Sequence, residues 1–384
     1  SRTDTAVVDH AVDAVYALSS LDRCAAADAL MTAGAPPADP AARREIDRIR
    51  HQLADARALT DASQFQEALT MVTSATAAAE RLDWGQLEAE ALLQLATVQL
   101  SLGDAETAVA TLERTATAAT LAKLPQLVVR AWIWRMEAVG YRLGRPQEAM
   151  AIAPLVDNAI LGAGNAAELQ GQARRHLAIA HWAQGDYRRA QELMEQAVGL
   201  LVETLGADHP QVAAAVNSLG VMISEQERHE AAIEQYERAL QIYERTLGPA
   251  HPRAAAVLGN LGDSLLSMAQ PRKAREYTQR AADIFRAAYG PSHPDVAMAL
   301  TNLVATDLAL GEPRRALGLA REALASAEAS MEATNPILAY HLTSLGGALV
   351  ACEQFDLAIA PLERALRLRQ SPNDPAMLAE PELL

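Results

Sequence analysis

Apolar and polar positions in the second half of the chain follow a helical rhythm. Val212, Val216, Leu219 and Ile223 fall at steps of four, three and four, a spacing that places them on one face of a helix. A short polar break from Glu225 to Arg228 follows. Ala232, Ile233, Tyr236, Ala239, Leu240 and Tyr243 then mark the apolar face of a second helix, so the unit is a helical hairpin. The hairpin recurs. Pro210, Pro252, Pro294 and Pro336 stand 42 residues apart, and Leu219-Gly220 returns as Leu261-Gly262, Leu303-Val304 and Leu345-Gly346 at the same spacing. A further landmark, Ala68, Ala108, Ala149, Ala190, Ala232, Ala274, Ala316 and Ala358, advances by 40, 41, 41 and then 42 residues. Eight hairpins therefore cover about residues 41–370.

Small residues and turn formers punctuate this pattern. Gly220 or Ala232 at a helix crossing lets two backbones approach closely. Gly103, Gly144, Gly185 and Gly311 mark turns between the two helices of a hairpin, as helix C-terminal stops. Gly206, Gly248 and Gly290 mark left-handed stops between hairpins, and the prolines after them suit a first helical turn that can lack an N–H. One hairpin cannot bury its apolar face alone, so the expected architecture is a continuous stack.

These residues resemble the tetratricopeptide repeat family, in the 42-residue variety of kinesin light chains. Leu219-Gly220, Ala232, Tyr236 and Ala239, with their equivalents in other units, carry the resemblance. It implies an all-α, right-handed superhelical solenoid of about eight hairpins over residues 41–370. An N-terminal helical cap and linker over residues 1–40 would precede it, and a tail over residues 371–384 would follow. Two positions depart from the pattern. Val304 replaces a glycine, and Asp307 stands where other units place Ile223, Leu265 and Leu349. A lone buried carboxylate is costly, so a locally rotated helix that exposes Asp307 is expected.

The first seventy residues resemble something narrower. Ala11-Val12-Asp13-Ala14-Val15, Ser20-Leu21-Asp22-Arg23-Cys24, the Pro36-Pro37 linker and the charged helix from Arg43 look like the segment joining membrane anchor to repeats in myxobacterial serine/threonine protein kinases. That resemblance implies an extracytoplasmic repeat region of a receptor-like kinase. It leaves Cys24 either a buried thiol or paired with a cysteine elsewhere in a longer protein; without it, a cytoplasmic module stays open. The chain begins with Ser1, which suits a fragment. The alternative is the repeat region of another multidomain protein, an ATPase-type transcription regulator or a caspase-like protease, used as a lid or oligomerisation surface.

Composition narrows the chemistry. Aromatic residues make up only 4% of the 384 residues, which suits close-packed alanine-rich helices better than strands. A net charge of −15 argues against chain-wide attraction to nucleic acid or anionic lipid, and no apolar run is long enough to span a membrane. No kinase motif is present in these residues, and no enzyme activity is expected of them. Gly162-Ala163-Gly164-Asn165-Ala166-Ala167 matches a dinucleotide fingerprint only as text, because a helix and not a strand precedes it. His229-Glu230-Ala231-Ala232-Ile233 lacks the second histidine of a zinc-protease helix. His209, His251 and His293 recur one repeat apart and do not converge as metal ligands would, and Asn335 in the fourth copy points to helix capping. No metal or cofactor is expected.

The resemblance to the repeat family leaves a groove. There, polar residues before the leucine-glycine pair of each first helix line the concave surface and contact extended peptides. Carried onto this chain, these positions are Gln94, Trp134, Arg135, Arg175, His176, Asn217, Ser218, Asn260, Thr301, Asn302, Thr343 and Ser344. Asparagine amides can bond both backbone groups of a peptide, and Arg135 with Arg175 would hold a carboxylate. The expected partner is a protein or peptide.

Overall fold

The computed structural model of the chain describes residues 36–61 and 64–369. Most of the expected cap, the residues that carry the kinase resemblance before Pro36, Cys24 and the tail lie outside them. The described residues form helices and connections with no strand among them. They divide into two compact units, one ending at Ala207 and the other beginning at Asp208. The first holds α1 (Pro40–Asp61), α2 (Phe65–Arg81), α3 (Gly85–Ser101), α4 (Ala105–Leu121), α5 (Pro125–Glu137), α6 (Pro146–Gly162), α7 (Ala167–Ala183) and α8 (Tyr187–Leu205). A π-helical turn, Ala138–Arg142, continues α5. The second holds α9 (Pro210–Ser224), α10 (His229–Thr246), α11 (Pro252–Ser267), α12 (Pro271–Tyr289), α13 (Pro294–Ala309), α14 (Pro313–Ser330), α15 (Leu338–Ala351) and α16 (Phe355–Arg369). Each unit is a stack of four hairpins in which every helix packs on the next.

The starts of the helices follow from their sequences. The imidazoles of His209, His251 and His293 accept the backbone N–H two residues on, at 3.1, 3.1 and 3.2 Å, and the Asn335 side chain accepts from the Ile337 N–H at 2.9 Å. The proline after each histidine occupies the first turn, where no N–H is needed. Capping is thus the histidines' role. The stops between hairpins differ from the expectation: Gly206 has φ 87° and ψ 155°, and Gly290 φ 80° and ψ 171°. This extended positive-φ region is essentially restricted to glycine. Within hairpins, Glu227, Ala269 and Glu353 adopt positive φ at turns that no glycine marks.

Close approach explains the leucine-glycine pairs. A Cβ on Gly220 would lie 2.5 Å from the Tyr236 ring. A Cβ on Gly262 would run into Thr278, and one on Gly346 into Leu362, more closely still. The seventh hairpin inverts the arrangement. Val304 fills the glycine position and the facing residue is Ala320, both buried in one apolar cluster. Volume moved from one helix to the other, and the crossing kept its packing.

Asp307 corrects an expectation. It is 0% exposed, with no rotation of α13 to bring it to solvent. Instead Arg275 of α12 reaches one carboxylate oxygen at 3.5 Å and Arg315 of α14 the other at 3.1 Å. Both arginines also meet Glu312. Burial pushes the carboxyl above its ordinary range, and Arg275 opposes that shift.

Within each unit the first helices of successive hairpins also touch one another, while the second helices stand further apart. In residues 208–384 long arginines bridge the wider gaps: Arg280 to Glu244 at 2.6 Å, Arg286 to Glu322 at 2.7 Å, and Arg364 to Glu328. The first helices therefore form the inner row. Such exposed pairs each contribute about 0–1 kcal/mol, so the apolar contacts between hairpins dominate stability.

Candidate functional site

In residues 208–384 the inner row is α9, α11, α13 and α15, and its polar side chains bond from one hairpin to the next. The Asn260 amide donates to Asn217 Oδ1 at 2.9 Å. The Asn302 amide donates to Asp263 Oδ2 at 3.2 Å. Each amide keeps further donor or acceptor capacity. Ser218 turns its hydroxyl back to the Ala214 carbonyl at 3.1 Å, and Thr343 does the same to Ala339 at 2.7 Å. Ser344 is half-buried. Thr301 is a correction: it is buried and bonds His341 of the next hairpin at 2.8 Å. Its hydroxyl belongs to the packing between α13 and α15. Burial keeps the His341 imidazole pKa below its ordinary value.

Asp263 is the residue that the groove positions missed. The charged side chains on these four first helices are Arg253, Asp263, Asp295 and Asp307. Arg253 and Asp295 lie in first turns, and Asp307 is buried against arginines of second helices. Asp263 alone stands exposed mid-helix, and it makes no ion pair. The surrounding helices nonetheless exclude enough water to push its carboxyl up to about 6. Burial, and to a lesser degree the charge of Asp263, raises the Tyr340 hydroxyl above its ordinary value. Tyr340 is 51% exposed. The sequence signal was available: Asp263 follows the Leu261-Gly262 pair and stands one turn beyond Asn260.

The first unit behaves differently. Trp134 is 37% exposed and its ring lies 6.4 Å from that of His176. His176 is buried, and desolvation together with the neighbouring Arg175 holds its pKa well below the ordinary value. Arg175 Nη2 lies 3.4 Å from the His176 ring. Gln94 is half-buried. Arg135 is displaced from the expected groove. It bridges Glu113 of α4 at 2.9 Å and Glu148 of α6 at 3.4 Å, with its side chain only 14% exposed. The cause is the π-helical turn at Ala138–Arg142, which holds one residue more than an α-turn. Counting back from Ala149 at constant spacing therefore misplaces everything before the turn by one position. Trp134 takes the groove position, and Arg135 takes that of the leucine, facing second helices. The geometry does not join Arg135 and Arg175 into a carboxylate clamp.

A separate cleft of about 590 Å³ on the second helices is lined by Arg272, Arg275, Glu276, Gln279, Leu310, Glu312 and Arg315. Its charges balance once buried Asp307 is included. Among the described residues no group of three or more potential ligands could hold a metal ion, and no helix is long and apolar enough to cross a membrane. Ala163 to Ala166 form the turn between α6 and α7, as an inter-repeat loop should.

Tetratricopeptide repeat models match residues 169–245, 212–287 and 268–329, and another such model matches 90–118. The matched residues are tetratricopeptide repeats. They form a repeat scaffold of the type that serves protein interaction. Among solved structures, a Signal Transduction ATPase with Numerous Domains protein with a tetratricopeptide repeat sensor, from Pyrococcus horikoshii, is similar over 81% of this chain and 44% of its own, at 14% identity and TM-score 0.58. The apo form of RapI is similar over 84% of this chain and 86% of its own, at 14% identity and TM-score 0.57. BtubC (BKLC) from P. vanneervenii covers 66% of this chain with 94% of its own, at 22% identity and TM-score 0.47. At such identities the likeness is one of fold. No curated protein matches the chain.

Proposed function

We propose that the repeats bind an extended protein or peptide segment along the inner row of first helices in residues 208–384. The supporting observation is the series of side-chain amides at one level of that row, with Asn260 on Asn217 and Asn302 on Asp263. An amide offers a donor and an acceptor together, which suits the alternating N–H and C=O of an extended backbone. The chain acts here as a sensor or scaffold module and performs no chemistry of its own.

The finer reading is the C-terminal repeat region of a receptor-like serine/threonine kinase, supported by the segments of residues 1–70 quoted above. A kinase domain followed by an apolar span upstream of Ser1 would support it, and a nucleotide-binding or protease domain there would replace it. Binding itself is tested with Asn260→Ala combined with Asn302→Ala. The double variant should keep its helical circular dichroism and lose captured partners from a displayed peptide library. Equal recovery by the variant and the native chain would refute the inner row as the binding face.

A further inference from the structure

Resting on that reading, we propose that the inner row of residues 208–384 selects a basic segment, with one lysine or arginine of the partner pairing with Asp263. Two observations converge on this. First, α9, α11, α13 and α15 present apolar, hydroxyl and amide groups along their inner face, and Asp263 is the exposed mid-helix charge among them. Second, Asp263 has an amide partner in Asn302 but makes no ion pair, so its charge is uncompensated within the fold.

Asp263 is expensive to keep where it is. Shielding from water raises its pKa to about 6, which means that its charged form is disfavoured in the free protein. A cation arriving in the groove relieves that penalty, so the free protein's poor solvation of Asp263 becomes preference for a charged ligand. The equivalent positions in the neighbouring hairpins, Val221, Ala305 and Gly347, carry no charge, which fixes the selection at one level. The overall charge of −15 adds long-range attraction for a basic partner. An acidic ligand, which a clamp of Arg135 and Arg175 would have favoured, has no such support here.

The test is selection from a randomised twelve-residue peptide library displayed on phage, using the full chain, Asp263→Asn and Asp263→Lys. Native protein should enrich peptides with lysine or arginine at one position. Asp263→Asn should lose that enrichment and Asp263→Lys should enrich aspartate or glutamate instead. A synthetic recovered peptide in which that residue is replaced by norleucine or glutamine should bind about tenfold more weakly to the native chain and equally well to Asp263→Asn, as expected for a partly desolvated charge pair. Exchanging lysine for arginine separates the two cations. Enrichment of acidic residues by the native chain, or basic enrichment that survives Asp263→Lys, would overturn the proposal while leaving inner-row binding intact. Recovery that is insensitive to the Asn260→Ala, Asn302→Ala double variant would overturn both.

Discussion

Adding one carbon to Gly262 tests whether the leucine-glycine pairs are set by close approach. Its Cβ would collide with the methyl of Thr278, and the Ala274 carbonyl lies 3.4 Å away on the same side. Thr278 has little room to yield. It is 1% exposed, is β-branched, and its hydroxyl donates to the Ala274 carbonyl at 3.0 Å. Replacing a mid-helix glycine by alanine gains about 1 kcal/mol of helix propensity, whereas overpacking costs about 1–3 kcal/mol. A pinned neighbour puts the cost near the top of that range, so Gly262→Ala should lose about 1–2 kcal/mol net. Gly346→Ala should be milder, because the atoms it meets are the end of Leu362, which is flexible and 37% exposed.

The seventh hairpin supplies the rescue. Gly262→Val with Thr278→Ala reproduces its Val304 and Ala320 pair. Each single substitution should destabilise, one by overpacking and the other by a buried void, while the double variant should recover most of the loss. The coupling should be about 1–3 kcal/mol, read from urea unfolding followed by circular dichroism at matched m-values. Gly262→Ala as stable as the native chain, or two losses that simply add in the double variant, would refute the packing argument.

Other substitutions follow from particular strains. Ala269 holds φ 55°, so Ala269→Gly should stabilise by about 0.5–1 kcal/mol in the same unfolding experiment, against the usual trend for alanine to glycine. Asp307→Leu restores the apolar residue of neighbouring hairpins and leaves Arg275 and Arg315 with Glu312; it should be neutral or stabilising by about 1–2 kcal/mol, whereas Arg275→Ala should destabilise by removing a partner from a buried charge. The Asp263 pKa is raised from 3.8 to about 6, so the stability it contributes is present in its protonated form below about pH 4 and is lost as pH rises through about 6. Asp263→Asn should therefore raise the unfolding free energy from urea titration at pH 7.5, by no more than about 1 kcal/mol given its exposure, and the advantage should vanish near pH 4.

What could be read from the sequence was what depends on period. Eight hairpins, their caps and their small crossing residues recur at fixed spacing, and His209, His251, His293 and Asn335 cap where that spacing put them. What could not be read was any feature that breaks the period or answers a neighbour. Val304 is unintelligible until Ala320 is seen across the crossing. Asp307 looks misplaced until Arg275 and Arg315 are found reaching it from flanking second helices. The π-helical turn at Ala138–Arg142 is the most consequential case, because the extra residue leaves no mark in composition yet rotates everything before it by one position. Arg135 therefore leaves the groove and is neutralised by Glu113 and Glu148. With that arginine removed the clamp is lost, and in residues 208–384 the exposed mid-helix charge on the inner row is the carboxylate of Asp263. The expected polarity of the ligand reverses with it: a single inserted residue in one unit removes the case for an acidic partner, and an unpaired aspartate in the other makes the case for a basic one.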